Sequence, residues 1–118
     1  FEAERYLDYH GDKLVRRFDA NSYLIIGKAM ELHDVGRGRN GLTAALSRAS
    51  MPALVMGISS DILYPDYQQR QIHELLAAAG TPSEYVEIDS PHGHDAFLIN
   101  LELVAPPLKR FLEQHPAR

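Results

Sequence analysis

The pattern of hydrophobic and polar positions divides the chain into a helical first part and a mixed second part. In residues 1–35, apolar side chains recur every three to four positions, as they do along one face of a helix. We predict that Gly11 breaks or kinks a first helix, because glycine is a poor helix former. A second helix is predicted to begin at Asp19 or Asn21, whose side-chain oxygens can accept from the free N–H groups of a first turn. A glycine-rich loop and a short helix near residues 42–48 follow.

After residue 52 the pattern becomes that of an α/β segment. The run 53–58 is short and continuously apolar, which is typical of a strand buried on both faces of a parallel sheet. Residues 66–79 carry their apolar side chains on one stripe and are followed by Gly80, which predicts a helix and its end. Residues 84–88 predict a second strand. Together these elements predict a βαβ unit with two parallel strands.

The end of the chain is predicted to be helical. Proline is tolerated in the first turn of a helix, so Pro106 and Pro107 predict a break near Ala105 between two helices. The predicted fold class is therefore α/β, with a βαβ unit and a terminal helix in residues 51–118, preceded by helical segments in residues 1–50. Two strands cannot cover their own edges, so we predict that the chain is incomplete as a domain.

Composition and charge exclude several classes of protein. The chain has 118 residues, of which 45% are hydrophobic, so it is long enough for one modest core. A net charge of -4, with scattered basic residues, argues against nucleic acid as a partner. The absence of cysteine excludes disulfides and thiolate chemistry. No apolar run approaches the roughly 20 residues that span a bilayer, and no signal peptide opens the chain. A start at Phe1, without methionine, predicts that the chain is part of something longer.

The candidate chemistry lies in the run 89–97, which follows the second predicted strand. This run contains His92, His94 and Asp95, and imidazole titrates near neutral pH, where proton transfer is most useful. If the strands are parallel, Asp61, which follows the first strand, lies at the same edge of the sheet as His94. A carboxylate that accepts from an imidazole N–H is the orienting half of a nucleophile–His–Asp triad. The chain contains no Gly-x-Ser-x-Gly nucleophile elbow, so the predicted triad lacks its nucleophile.

Other interpretations account for the same residues. In the simplest, Asp61 caps a turn and His94 is an ordinary loop histidine. His92 competes with His94 for the role of base. A metal site at His92, His94 and Asp95 is conceivable, although no further clustered ligands complete it. The loop 36–41 could hold a phosphate, but it does not lie between a strand and a helix as a P-loop does, which favours a surface turn.

Three runs of the chain resemble the C-terminal portion of homoserine O-acetyltransferase, a family of acyltransferases with the α/β-hydrolase fold. The runs are Arg17-Phe-Asp-Ala-Asn-Ser-Tyr23, Ser60-Asp-Ile-Leu-Tyr-Pro65 and Ser90-Pro-His-Gly-His-Asp-Ala-Phe-Leu98. Their order and spacing also match, and the resemblance covers nearly all of the chain. It implies that residues 51–118 are the C-terminal part of the α/β-hydrolase core. It also implies that residues 1–50 are a helical lid that contributes to contacts in a homodimer.

The resemblance also implies roles for individual residues. Asp61 matches the family's catalytic acid, and His94, rather than His92, matches the catalytic base. Asp95 matches the carboxylate that holds the amino group of homoserine, which is sensible because a carboxylate beside the base can anchor an ammonium group. The serine nucleophile, the oxyanion hole and an arginine for the substrate carboxylate are implied to lie before Phe1. No permanently bound cofactor and no metal are implied.

The implied function is transfer of acetyl from acetyl-CoA to the hydroxyl of L-homoserine by a ping-pong mechanism, in cytoplasmic methionine biosynthesis. The implied partners are these two substrates and the remainder of the same enzyme, so the chain alone is expected to be inactive. A related serine or homoserine acyltransferase with another acyl donor, an esterase of the same fold, and a catalytically dead binding module remain alternatives.

Overall fold

The computed structural model describes residues 1–116. Six α-helices and two strands follow one another along this part of the chain. They are α1 (Glu2–Arg17), α2 (Ala20–Glu31), α3 (Leu42–Leu46), β1 (Ala53–Ile58), α4 (Asp66–Ala78), β2 (Ser83–Ile88), α5 (Ala96–Ile99) and α6 (Leu101–Gln114). Two compact units result, one formed by residues 1–34 and the other beginning at Val35. The assignment of residues 1–50 to a lid and of 51–118 to a catalytic core stays a prediction.

The first unit consists of α1 and α2. Asp19 precedes α2, and its Oδ1 accepts from the Ser22 N–H at 2.8 Å, so one of the two predicted caps is confirmed. The rings of Phe18 and Tyr23 meet edge to face, with their centroids 6.0 Å apart. No residue of α1 or α2 is buried. The apolar side chains of this unit therefore remain available to cover, or be covered by, another surface.

Helix α1 continues through Gly11 to Arg17, so the predicted break at Gly11 is wrong. One glycine costs a helix only about 1 kcal/mol relative to alanine. This helix has 16 residues, with glutamates in its first turn and arginines in its last, which matches the direction of the helix dipole. An exposed ion pair between Arg5 and Glu2, three positions apart, adds to this local support. These contributions together outweigh the cost of a single glycine.

The second unit is built on the parallel pair β1 and β2, as predicted. The two strands pair over their full length, from Ala53 beside Ser83 to Ile58 beside Ile88. Their carboxyl ends are therefore level. Helix α4 connects the strands and contacts both of them. The segments that follow β1 and β2 consequently begin at the same edge of the sheet, which is where open α/β sheets place their functional groups.

The faces of the sheet pack against different helices, because successive side chains on a strand point to opposite sides. On one face, the buried side chains of Ile58, Ile88 and Ala96 form the core, with Val86 and Val104 packed against them. An ion pair between Arg110 and Glu84 also joins α6 to β2. The opposite face carries α4. All six residues of β1, whose continuous apolar run predicted a buried strand, are buried or partly buried.

The predicted helix break near Ala105 is wrong, because α6 runs from Leu101 to Gln114 through both prolines. Pro106 and Pro107 lack the N–H groups that would bond to the carbonyls of Glu102 and Leu103. Both of those residues are exposed, so water can satisfy the carbonyls. The break occurs instead at Asn100, whose φ of -102° and ψ of 58° lie outside the helical region.

Candidate active site

The site begins at Asp61, which lies three residues beyond the end of β1. Only 4% of its side chain is exposed. Its Oδ1 accepts from the backbone N–H groups of Leu63, at 2.8 Å, and Tyr64, at 3.0 Å. This is the turn-forming contact that aspartate commonly makes with the residues that follow it. The turn leaves Oδ2 as the oxygen that points across to the next loop.

The second oxygen of Asp61 meets His94. The distance between Oδ2 and Nδ1 of the imidazole is 2.8 Å, so the proximity that the parallel strands predicted is observed. Asp61 therefore serves two groups at once, with one oxygen holding its own turn and the other orienting the histidine. Because the carboxylate can only accept, Nδ1 of His94 carries the proton and Nε2 is the nitrogen left for proton transfer.

The environment of Asp61 keeps it ionised. Burial raises the pKa of Asp61, but hydrogen bonds from the Tyr64 amide, from His94 and from the Leu63 amide outweigh burial and lower it below the ordinary value of 3.8. Each of these bonds is made to the charged form of the carboxyl group. The acid is consequently a carboxylate at neutral pH, as a group that stabilises an imidazolium must be.

A short 3₁₀ turn, Gly93–Asp95, presents His94. Gly93 has a φ of 57°, in the left-handed region that favours glycine, so the turn depends on this residue. The His94 ring lies between two aromatic rings, with the Tyr64 centroid 4.9 Å away and the Phe97 centroid 5.3 Å away. Since 38% of its side chain remains exposed, the imidazole is held in place but accessible.

His92 makes a different set of contacts. Its Nδ1 lies 2.8 Å from Oδ1 of Asn100, which also accepts from the hydroxyl of the buried Ser90 at 2.7 Å. His92 thus belongs to the network that interrupts the helix at Asn100, whereas His94 is the histidine beside the carboxylate. Of the two candidates for the base, His94 is therefore the one whose ring lies within hydrogen-bond distance of Asp61.

Asp95 lies immediately after His94 and is exposed, at the N-terminal end of α5. This places a carboxylate next to the Asp61–His94 pair, in a position open to a ligand. Asp61 and His94 also line a recess of about 790 Å³, whose other lining residues are mainly apolar and include Met56, Ile88 and Val104. The catalytic roles of Asp61 and His94 and the substrate-binding role of Asp95 stay predictions.

The sequence interpretation missed several supporting residues. Tyr64 and Phe97 flank the imidazole, and Ser60 bonds to the loop that carries it. All three belong to the motif runs around Asp61 and His94, and that membership is the only signal that could have selected them. Spacing along the chain does not specify which aromatic or hydroxyl side chain reaches a neighbouring loop.

Residues 1–116 lack two further features. No group of three or more His, Asp or Glu side chains in this part of the chain is arranged to hold a metal ion. Within the same residues, no helix combines the length and the apolar character needed to cross a membrane. The loop 36–41 forms turns, as predicted.

Comparison with known proteins gives matches over almost the entire chain. It is 54% identical over 113 residues to homoserine O-acetyltransferase of Carboxydothermus hydrogenoformans, a match that covers 96% of this chain and 30% of that protein. It is 51% identical over 114 residues to the homoserine O-acetyltransferase of Symbiobacterium thermophilum, covering 97% and 30%. The Thermus thermophilus protein of the same name is 51% identical over 111 residues, covering 93% and 28%. No protein-family model matches.

A solved structure matches as well. The crystal structure of homoserine O-acetyltransferase from Bacillus anthracis superposes with a TM-score of 0.82 at 29% sequence identity, covering 92% of this chain and 29% of that one. The chain is therefore part of an α/β-hydrolase fold, and the predicted fold class is confirmed.

More particularly, the chain resembles the C-terminal portion of homoserine O-acetyltransferases, as its three motif runs indicated. It spans about 30% of the length of the curated relatives that it matches.

Proposed function

We propose that this chain is the C-terminal portion of an acetyltransferase and supplies two members of a Ser–His–Asp triad. In this proposal His94 is the general base and Asp61 orients it, while the serine nucleophile comes from a part of the protein outside this chain. The observation that carries the proposal is the 2.8 Å contact between His94 Nδ1 and the buried Asp61 Oδ2. The names of the relatives support an acyltransferase rather than a hydrolase.

The proposed reaction has two halves. In the first, Nε2 of His94 takes the proton of the serine hydroxyl, and the serine oxygen attacks the thioester carbonyl of acetyl-CoA. The carbon–sulfur bond breaks, the CoA thiolate receives the proton from His94, and the acetyl group stays on the serine. In the second half, His94 takes the proton of the homoserine hydroxyl, whose oxygen attacks the acetyl ester. The ester bond to the serine then breaks, the acetyl group stays on the homoserine oxygen, and the serine oxygen regains its proton from His94.

Asp61 and Asp95 have different tasks in this scheme. Asp61 keeps Nδ1 of His94 protonated and stabilises the imidazolium that forms twice in each cycle. Asp95, exposed beside the base, holds the ammonium group of homoserine and aims its hydroxyl at the acetyl ester. The recess lined by Asp61 and His94 provides the apolar surroundings in which such charges act strongly.

The proposal extends to the wider context of the enzyme. Acetyl-CoA is a substrate and no cofactor is permanently bound. The reaction is a step of methionine biosynthesis in the cytoplasm. Residues 1–50 form a lid and contribute to a homodimer, which the exposed apolar side chains of α1 and α2 support.

The test is an acetyl-transfer assay on the longer parent protein. Purified parent is assayed with acetyl-CoA and succinyl-CoA as donors and with homoserine and serine as acceptors. We expect acetyl transfer to homoserine, and a fall in turnover on the order of 10³-fold or more in Asp61→Asn and in His94→Ala. His92→Ala is the matched control and should retain most of the activity. Near-normal turnover of His94→Ala would refute the assignment of the base, and preference for another donor or acceptor would refute the assignment of the substrates.

A further inference from the structure

The hydroxyl of Ser60 makes two hydrogen bonds between the loops that follow β1 and β2. Ser60 Oγ donates to the backbone carbonyl of Ser90 at 2.5 Å and accepts from the backbone N–H of Gly93 at 2.9 Å. Both bonds cross from the loop that carries the acid to the loop that carries the base. One side chain thus contacts the histidine loop at its beginning and again one residue before His94.

The bond between Ser60 and Gly93 matters because each of its two residues is adjacent in sequence to a member of the Asp61–His94 pair. Ser60 is bonded covalently to Asp61, and Gly93 is bonded covalently to His94. The contact between Ser60 and Gly93 therefore fixes the separation of the two backbones from which the acid and the base extend. Gly93 has a φ of 57° and begins the three-residue turn that carries His94.

We propose that Ser60 is a positioning residue, which holds the histidine loop at the distance and angle that keep His94 directed both at Asp61 and at the serine nucleophile. The inference rests on the proposed function of His94 as general base. Reactive groups that are misplaced by a fraction of an ångström lose much of the advantage of proximity. Loss of the Ser60 hydroxyl should therefore lower the rate of proton transfer without weakening the binding of substrate.

The chain offers a closely matched control in the neighbouring serine. Ser59 Oγ donates to Oδ1 of Asp89 at 3.1 Å and accepts from the backbone N–H of Ser90 at 3.3 Å. It thus makes one donated and one accepted bond between the same two loops. Neither bond reaches Gly93 or His94. Removing each hydroxyl in turn separates general anchoring of the loops from positioning of the base.

The experiment compares Ser60→Ala, Ser60→Thr and Ser59→Ala in the longer parent protein, with His94→Ala as the inactive reference. Two activities are measured. Release of p-nitrophenol from p-nitrophenyl acetate reports attack by the nucleophile without any natural substrate, and acetyl transfer to homoserine reports the complete reaction. We expect Ser60→Ala to lower the rate constants of both reactions about ten-fold, with KM values within about two-fold of wild type. Ser60→Thr keeps a hydroxyl at an exposed position and should restore the rates. Ser59→Ala should stay within about two-fold of wild type.

Different results overturn different conclusions. Three results would overturn the positioning role of Ser60. They are equal loss of activity in Ser60→Ala and Ser59→Ala, full activity in Ser60→Ala, and failure of Ser60→Thr to restore the rate. If Ser60→Ala does not fold, Ser60→Cys takes its place, because a thiol of similar size forms only weak hydrogen bonds and the same fall is expected. If the ester reaction requires His94 but homoserine is not acetylated, the substrate assignment fails, and the ester rates alone decide the role of Ser60.

Discussion

Gly57 in β1 offers a sharp test of how closely the Tyr85 side chain of β2 packs over β1. A β-carbon added at this buried position would lie 2.6 Å from the hydroxyl oxygen of Tyr85 on the neighbouring strand. That distance is well inside van der Waals contact, so one of the two groups must move. Arg70 borders the Tyr85 ring, with its guanidinium carbon 4.6 Å from the ring centroid. Arg70 is held in turn by Asp66 and Glu87.

The expected cost of Gly57→Ala follows from this geometry. Forcing an extra carbon into a packed region typically costs about 1 to 3 kcal/mol, and we expect about 2 kcal/mol here. The hydroxyl of Tyr85 is itself buried and has no hydrogen-bond partner in the described part of the chain. Tyr85→Phe therefore removes a polar group that is desolvated on folding, and we expect it to be neutral or stabilising by up to about 1 kcal/mol.

The double variant is the informative measurement. After Tyr85 Oη, the nearest atoms to the added carbon belong to Asp66 and lie 3.4 Å away, which is ordinary contact. Removing the hydroxyl should therefore relieve most of the clash, so Gly57→Ala in the Tyr85→Phe background should cost at least about 1 kcal/mol less than in wild type. Urea unfolding of wild type, both single variants and the double variant of the parent protein gives this coupling.

Two results would refute the reasoning. Wild-type stability in Gly57→Ala would mean that the Tyr85 hydroxyl does not lie as close to Gly57 as described. Additive effects in the double variant would mean that the hydroxyl is not the group that the added carbon meets.

The remaining predictions concern pH and the chain in isolation. The folded-state pKa of Asp61 lies below 3.8, so its charge contributes stability above that value and loses this contribution as the pH falls through the lower folded-state pKa. The free energy of unfolding of wild type should therefore exceed that of Asp61→Asn at about pH 5, and the difference should shrink below pH 3.8 in acid-unfolding measurements. A difference that grows on acidification would contradict the lowered pKa of Asp61. Residues 1–118 alone should melt broadly in calorimetry, because none of the residues of α1 and α2 is buried and only four hydrophobic side chains of the described chain are. A sharp cooperative transition would contradict this. The same piece should transfer no acetyl, because the proposed serine nucleophile lies outside this chain.

The helices and strands that follow from the spacing of apolar residues could be predicted from the sequence. The apolar run of β1, the amphipathic stripe of α4 and the glycine that follows it predicted the βαβ unit, including its parallel strands. The contact between Asp61 and His94 followed from that topology, because parallel strands bring their carboxyl ends to one edge. These features depend on local pattern and on a general rule of sheet geometry.

The errors and omissions depend on contacts between distant residues. The terminal helix begins at Leu101 because the side chain of Asn100 bonds to Ser90 and His92, and no local pattern encodes those partners. Likewise, the prolines of α6 predicted a helix break. The helix continues because the residues whose carbonyls the prolines leave unpaired are exposed to water, and the local sequence does not specify that exposure. The bond from Ser60 to Gly93 joins residues on two loops, and a serine near a strand end gives no indication of its partner.

The level ends of the two strands have a consequence for how activity is acquired during folding. A slip of one residue would displace one loop along the other by about 3.3 Å and turn the strand over, which would separate Asp61 from His94. Parallel strands linked through a helix are slow to align, because their contacts are distant in sequence. If the proposed function holds, recovery of acetyl transfer by the parent protein after dilution from denaturant should lag behind the return of helical signal, and its time course would measure when the sheet reaches its final alignment.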